Sequence, residues 1–289
     1  MSIKNPLRYP GAKSKLYDYI YHLLLAEDKT NCTFYEPFGG SASISLLLLE
    51  NKIIKRAVIN ELDPLLYNFW FSVFHFTNDL IQLIRDTNIT LENWHEFSKY
   101  RNSEYLIEKT PVQIGFAGLF LNRTNFSGIL KANPLGGLKQ NSQYTIECRF
   151  NKEKIINSIQ SLSVFNNKID LYNMEAINFM KQELKYKRNK SVFVYIDPPY
   201  YKEGSNLYRY YYTHEQHIAL AEYILPKTFP WLISYDNSNV IKDLYNQISP
   251  LTIHMDYSIR TSHKAEELLI SNLEIPPLKT DENKLVDIV

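Results

Sequence analysis

The residues best placed to do chemistry are Asp197, Pro198, Pro199 and Tyr200, in the run VFVYIDPPYY at 192–201. Val192 to Ile196 are apolar, β-branched or aromatic and read as a buried strand, so the acid falls where that strand stops. Proline fixes φ and has no N–H, which leaves the carbonyls of this turn free to accept hydrogen bonds. A carboxylate beside a rigid carbonyl is a two-acceptor clamp suited to an amino group. Tyr200 would offer a flat face to a ring held in that clamp. A solvated aspartate at an ordinary proline turn is the plainer alternative, and the apolar strand directly before it favours the clamp.

A second chemistry-bearing stretch is EPFGGSAS at 36–43. A β-type run ends at Glu36-Pro37, and Gly39-Gly40 would let a ligand approach the backbone closely. Ser41 is expected to cap the following helix, whose N-terminus is locally positive. A further strand, Arg56 to Asn60, ends in the acids Glu61 and Asp63. An acid about 20 residues after a glycine turn is placed to bind ribose hydroxyls. Glu61 is favoured for that role, and Asp63 is the neighbour that could instead cap a helix. Near the N-terminus, NPLRYPGAKSKL gathers Arg8, Lys13 and Lys15 around Pro10-Gly11, basic groups able to reach a carboxylate.

Residues 120–154 carry Arg123, Lys131, Lys139, Arg149, Lys152 and Lys154 against only Glu147 and Glu153. Phe120, Phe126, Tyr144 and Phe150 are interleaved with them. Basic and aromatic residues on a Gly/Asn-rich loop suit phosphate contact and base stacking or wedging, whereas a charge run alone is more often a solvated face. The seven histidines show no metal-ligand spacing; HEQH at 214–217 lacks the gap of a zinc-protease motif. Two cysteines, Cys32 and Cys148, make a disulfide framework improbable and suit a reducing cytoplasm. The apolar runs are too short to span a membrane, and the net charge of +1 is silent about partners, because basic groups can be confined to one face.

The elements that must position these residues follow from the same patterns. Strand, turn, helix, strand and helix in that order argue a parallel sheet with right-handed crossovers. From about 75 to 160 the pattern turns helical, as in LENWHEFSKYR. KIDLYN at 168–173 resumes strand character, followed by the strand before Asp197, a helix in THEQHIALAEYIL and a strand in PWLISYD. A helix in NVIKDLYNQ and a final β pair, LTIHMDYS with AEELLISN, complete the order. A sheet interrupted by a mainly helical insertion is the simplest account, in 289 residues of ordinary globular composition.

Taken together and in order, RYPGAK, EPFGGSAS, INELD, LNRTNFSG and YIDPPY resemble the Dam-like S-adenosylmethionine-dependent DNA adenine-N6 methyltransferases, the D12 class with an alpha-type DPPY motif. The likeness runs over about residues 5–272. It implies an α/β fold, a Rossmann-like and mostly parallel methyltransferase sheet, in a catalytic domain of 1–74 and 166–289. A mainly helical DNA target-recognition domain would be inserted at 75–165. The implied reaction moves a methyl group from S-adenosylmethionine to the exocyclic N6 of an adenine flipped out of duplex DNA. S-adenosylhomocysteine is the implied product, and no metal is required.

The resemblance carries over residue by residue. Asp197, Pro198, Pro199 and Tyr200 are the catalytic motif. Tyr9 and Lys13 fall on the motif that contacts the methionine part of the cofactor. Glu36, Pro37, Phe38, Gly39 and Gly40 fall on the cofactor loop, Glu61 on the ribose ligand, and Asp197 borders the cofactor as well. YNMEAINF lies where the cofactor adenine is bordered, with Glu175 in place of a common Asp. DNA contact falls to Arg123, Asn125, Phe126, Ser127, Gly128, Lys131 and Asn133, with Phe126 as an aromatic wedge. Lys131 stands where relatives use an arginine to read guanine, and a lysine lacks that planar bidentate fork. A GATC-type site is the default set by relatives. The expected partner is double-stranded DNA rather than a membrane, with a separate restriction endonuclease as a companion. The enzyme is expected to be a monomer or weak dimer in the cytoplasm, bacterial or phage-encoded. On the same fold, an RNA adenine-N6 methyltransferase and a non-catalytic DNA-binding protein are the alternatives. A protein-glutamine methyltransferase is disfavoured, because that class resembles N-P-P-Y.

Overall fold

The structure, a computed structural model, describes residues 4–8, 13–185, 191–259 and 261–274; for 14, 15 and 255–265 only the backbone is described. Tyr9 therefore lies outside the described residues. The centre is a seven-stranded sheet in the order β3-β2-β1-β4-β5-β7-β6. Its strands are β1 (Thr33–Glu36), β2 (Arg56–Asn60), β3 (Ile169–Tyr172), β4 (Val192–Ile196), β5 (Trp231–Asp236), β6 (Leu251–Ile259) and β7 (Thr261–Ser271). The first five are parallel. β7 runs antiparallel to both neighbours, with Asp236 opposite Glu267 in the β5 pairing.

The central strand β4 is apolar on every residue because both its faces are covered. All five residues of β4 are buried. Phe193 and Tyr195 face one core with Phe34, Ile59 and Leu232. Val192, Val194 and Ile196 face the other with Tyr35, Trp231 and Ile233. The two-residue period of a strand thus divides the sheet's side chains between two layers, and each large apolar side chain fully buried contributes about 1.5–3 kcal/mol. The first layer is closed by α1 (Tyr17–Ala26), α2 (Ser43–Glu50) and α3 (Pro64–His75), the second by α8 (Ala176–Glu183), α10 (His214–Ile224) and α11 (Asn239–Leu244).

The stretch between β2 and β3 is helical, with α4 (Thr77–Asp86), α5 (Leu91–Ser98), α6 (Pro111–Thr124) and α7 (Lys152–Ser163). α6 opens on a capping box in which Thr110 and Gln113 satisfy each other's backbone N–H groups, with Pro111 at the first helical position. Phe116, Leu119 and Phe120 of α6 share one core with Leu65, Phe69 and Val73 of α3, so the helical stretch is continuous with the sheet's own packing. α9 (Gly204–Leu207) is a single turn between β4 and α10.

One cap departs from expectation. α2 begins at Ser43, and its N-cap is Ala42 in the left-handed region (φ 49°), without a side-chain cap. Ser41 instead shares a 2.8 Å hydrogen bond with the Ser43 hydroxyl. The tight turn through Gly40 (φ 49°) and Ala42 consumes the residues that would otherwise place Ser41 at the cap. Asp63 does cap its helix: its carboxylate accepts from the Leu65 N–H at 3.0 Å, ahead of Pro64 at N1.

Candidate active site

The chain leaves β1 on one side through β2 and β3, and returns on the other through β4 and β5. The carboxyl ends of β1 and β4 thus flank the point where strand order reverses, the usual ligand crevice of an open α/β sheet. A cavity of about 210 Å³ lies there. It is lined by Glu36 to Ser41 from β1 and its turn, Asn60 to Asp63 from β2, Asp197 and Pro199 after β4, and Tyr208 to Tyr212; Lys13 and Glu175 also reach it.

The glycine turn is held tightly to β2. Gly39 donates its N–H to the Asn60 carbonyl at 2.7 Å, and a Cβ on Gly39 would lie 2.5 Å from Ile59 Cγ2 and 3.1 Å from Asn60 O. Only glycine fits that approach. Trp70 Nε1 donates to the Gly40 carbonyl at 2.9 Å, and Asn60 Nδ2 spans the Pro37 and Met174 carbonyls at 2.9 and 3.0 Å. The walls after β1, β2 and β3 are therefore tied into one frame. Glu61 accepts from Gly40 N–H at 2.7 Å and Asp63 N–H at 2.8 Å. Burial pushes its carboxyl up to about 7, with the Asp63 charge adding and the backbone N–H groups opposing. Glu36 is buried with Oε2 lacking a hydrogen-bond partner. Burial pushes it up to about 8, Ser45 opposing and the Asp197 charge adding. A cradle that no Cβ could enter, next to the half-buried Glu61 and the buried Glu36 with its orphaned oxygen, fits a ligand that carries hydroxyl and cationic groups.

Asp197 stands at the end of β4 with its side chain 24% exposed. Ser234 donates to Oδ1 at 2.9 Å, and the Lys13 ammonium lies 3.4 Å from the same oxygen. Both contacts fall on Oδ1, and Oδ2 is the oxygen they leave over. Burial raises the Asp197 carboxyl to about 6; Lys13 pulls it down and Glu267 pushes it up. Pro198 is buried, whereas Pro199 lines the cavity. Tyr200 is half-buried beside the cavity. Lys13 Nζ lies 3.1 Å from its hydroxyl and 4.7 Å from its ring centroid, and Tyr208 meets the ring edge-on at 6.5 Å.

Several residues at the site were not singled out in the sequence. Glu267 accepts from Lys13 at 2.6 and 2.7 Å and from the Tyr200 hydroxyl at 3.0 Å. Ser234 is held in turn by the Tyr195 hydroxyl at 2.9 Å. Arg209 pairs with Asp63 at 2.7 Å and donates to the Arg101 carbonyl at 2.7 Å. Tyr212 donates to Glu175 at 2.6 Å and meets Phe38 edge-on. The one local signal was an acid inside the strand-like AEELLISN and a serine inside PWLISYD, polar residues in positions otherwise apolar.

The expected DNA-contact residues are spread by the structure. Phe126 is 50% exposed, and Leu138 and Tyr144 are exposed on the same stretch. Asn133 and Lys131 are exposed, Ser127 half-exposed, and Lys131 Nζ donates to the Ser205 carbonyl. Arg123 is half-buried, with Nε buried and without an acceptor. Two assignments need correction. Asn125 is fully buried: Trp94 Nε1 donates to its Oδ1 at 2.7 Å, and its Nδ2 donates to the Ile129 and Leu130 carbonyls. Gly128 is buried as well, at φ 77°, where a Cβ would lie 2.2 Å from Arg8 O. Both shape the loop rather than face outward.

A glycine-turn cradle, acids on two strand ends and a half-exposed aspartate at a topological switch point make a candidate site of the kind α/β enzymes use for nucleoside-type ligands. A family model for the D12 class N6 adenine-specific DNA methyltransferases matches residues 9–259. The chain belongs to that family and is an adenine-specific DNA methyltransferase. It is 27% identical over 270 residues to the Type II methyltransferase M1.LlaDCHI of Lactococcus lactis subsp. cremoris, covering 90% of this chain and 86% of that protein. Among solved structures, HI0767 from Haemophilus influenzae overlaps at a TM-score of 0.38 and 13% identity, over 90% of this chain and 89% of that one. yhhF from Escherichia coli overlaps at 0.35 and 10%, over 91% and 87%. Overlap that low carries no argument about function.

Proposed function

We propose that the protein methylates the N6 amine of an adenine flipped out of duplex DNA, with S-adenosylmethionine as donor. The observation that carries this reading is Asp197. It stands at the lip of β4, on the wall of the cavity formed by the glycine turn and Glu61, with only its Oδ1 engaged by Ser234 and Lys13. Gly39, Gly40 and Phe38 would hold the cofactor against the backbone, Glu61 its ribose, Glu175 its adenine edge, and Glu36 and Lys13 the methionine end. When bound, the cofactor supplies a methyl group on a sulfonium, open to in-line displacement.

The chain's own work is positioning. Adenine's exocyclic amine is a poor nucleophile because its lone pair is delocalised into the ring. Asp197 Oδ2 and the Pro198 carbonyl would accept its two hydrogens, which lets the nitrogen pyramidalise and aim the lone pair. The Tyr200 ring holds the base and stabilises developing positive charge on it. No base reaches such a site within a duplex, so it must be extruded at a cost of a few kcal/mol, and Phe126, which is exposed, would fill the gap. Residues 75–165 act as the target-recognition part. The Type II methyltransferase among its relatives supports a restriction–modification role, in which a separate endonuclease would cut the unmethylated site.

The test is methyl transfer from labelled S-adenosylmethionine to mixed-sequence duplex DNA and to RNA, followed by sequencing of methylated adenines in DNA from cells expressing the chain. Methylated adenine at one short sequence is the expected result. Incorporation into RNA alone, or none with an intact cofactor-binding signal, would overturn the reading.

A further inference from the structure

Among the described residues, the Lys13 ammonium lies near the carboxylates of Glu267 and Asp197. It lies 2.6 and 2.7 Å from the oxygens of Glu267 and 3.4 Å from Asp197 Oδ1. Coulomb attraction and hydrogen-bond geometry both favour the closer partner, and a 3.4 Å contact is a poor hydrogen bond. Glu267 is also the acceptor for the Tyr200 hydroxyl at 3.0 Å, and Lys13 meets that hydroxyl at 3.1 Å. Glu267 is buried, on β7, 254 residues from Lys13. It also lies beyond residue 259, where the family match ends.

We propose that Glu267 is a positioning residue for methyl transfer, drawing the Lys13 ammonium away from Asp197 and fixing the Tyr200 ring through its hydroxyl. The inference rests on the reaction proposed above. With Glu267 present, Lys13 offsets part of the charge of Asp197 without occupying it, so the aspartate can accept the amine. Without Glu267, the ammonium's nearest anion among the described residues is Asp197, and a tight pair at its Oδ1 would neutralise the carboxylate and weaken it as an acceptor for the amine. The Tyr200 hydroxyl would lose its acceptor in Glu267. Among the described residues, the groups around Asp197 are Lys13 from the N-terminal segment, Glu36 from β1, Tyr195 from β4, Tyr208 after it, Ser234 from β5 and Glu267 from β7. Removing the Glu267 charge therefore makes Asp197 easier to ionise, even as it disables it.

The experiment compares wild type, Glu267→Gln and Glu267→Asp in steady-state methylation of mixed-sequence duplex DNA, between about pH 5 and pH 9 at saturating S-adenosylmethionine. Glu267→Gln is expected to fold, to lower kcat about 10- to 100-fold, and to move the acid limb to lower pH. Glu267→Asp keeps the charge and should hold the acid limb near its wild-type position. An unchanged kcat in Glu267→Gln overturns the proposal. So does a reduced kcat with the acid limb unmoved, which would mark a merely structural residue. Should Glu267→Gln not fold, Tyr200→Phe removes only the hydroxyl tether, and a wild-type kcat in that variant overturns the proposal equally. A wild type that leaves every adenine unmethylated overturns the functional reading and this inference together. An active wild type matched by Glu267→Gln overturns the inference alone.

Discussion

In the proposed reaction Asp197 carries both the chemistry and a pH dependence. Its carboxyl sits at about 6 because burial outweighs the nearby lysine. The amine clamp needs the anion, so kcat/KM should fall as pH drops through about 6 and level off above it. Asp197→Asn keeps the shape but lacks the second acceptor lone-pair set, and is expected to lower kcat by about 10²- to 10³-fold with the fold intact, as circular dichroism would verify. Glu36 makes the complementary prediction for stability. Its folded pKa of about 8 exceeds its ordinary 4.5, so the folded state holds a proton that the unfolded chain has lost between those values. Stability contributed by this group is complete below about 4.5 and is lost as pH rises through about 8. The Tm of the protein without cofactor should decline over that window, and Glu36→Gln should flatten the decline. At this scale the D-P-P-Y run, the glycine pair and Glu61 were legible because each sits directly at a strand end, where local sequence fixes position. Glu267 was not, since nothing near AEELLISN reveals a partner at Lys13. Asn125 misled because an asparagine in a loop looks the same in sequence whether its amide turns outward or is consumed by Trp94 and two carbonyls.

Among the elements, the segment from Tyr201 to Tyr212 joins the two halves of the proposed reaction. Tyr208 to Tyr212 line the cavity, while Lys131 and Arg101 hold the same segment from the helical side through the Ser205 carbonyl and the Arg209 guanidinium. Arg209 and Asp63 are buried, at 9% and 7% side-chain exposure. Arg209→Ala would leave the Asp63 carboxylate buried without its cation. Such a loss is expected to cost about 3 kcal/mol or more in urea denaturation, and to weaken cofactor binding measured by calorimetry, because Asp63 also donates to Glu61. Gly39→Ala tests the cradle: a Cβ 2.5 Å from Ile59 Cγ2 must displace the turn. Overpacking of that kind costs about 1–3 kcal/mol, so the Kd for cofactor should rise about tenfold or more. Strand and helix order followed from residue periodicity, and β2 falls on the expected Arg56 to Asn60. The α2 cap did not, because a left-handed alanine after a glycine turn has no signature that distinguishes it from a serine cap.

For the molecule as a whole, a net charge of +1 conceals an uneven distribution. Six bases against two acids in residues 120–154 give that stretch an excess of four positive charges. DNA affinity should therefore fall steeply with salt despite near-neutral composition. Lys131→Ala should lower the slope of log K against log salt by about one if the lysine meets a phosphate, and relax sequence choice if it meets a base. Fluorescence anisotropy across a salt series on several duplexes separates the two. The sheet's order was only half visible in the sequence: an alternation of strands and helices announces parallel pairing, but which strand ends up beside which depends on contacts far apart in the chain.

The reversed strand β7 has a further consequence for how the enzyme comes into being. β6 is translated first, yet among the described strands it pairs with β7 alone, so it has no seat in the sheet until its successor arrives. Lys13 is synthesised 254 positions before the anion that pairs with it. Maturation of the candidate site is thereby a late event of biogenesis, closed by the joining of two segments 254 residues apart, and a nascent polypeptide stalled before β7 should lack methyl-transfer activity.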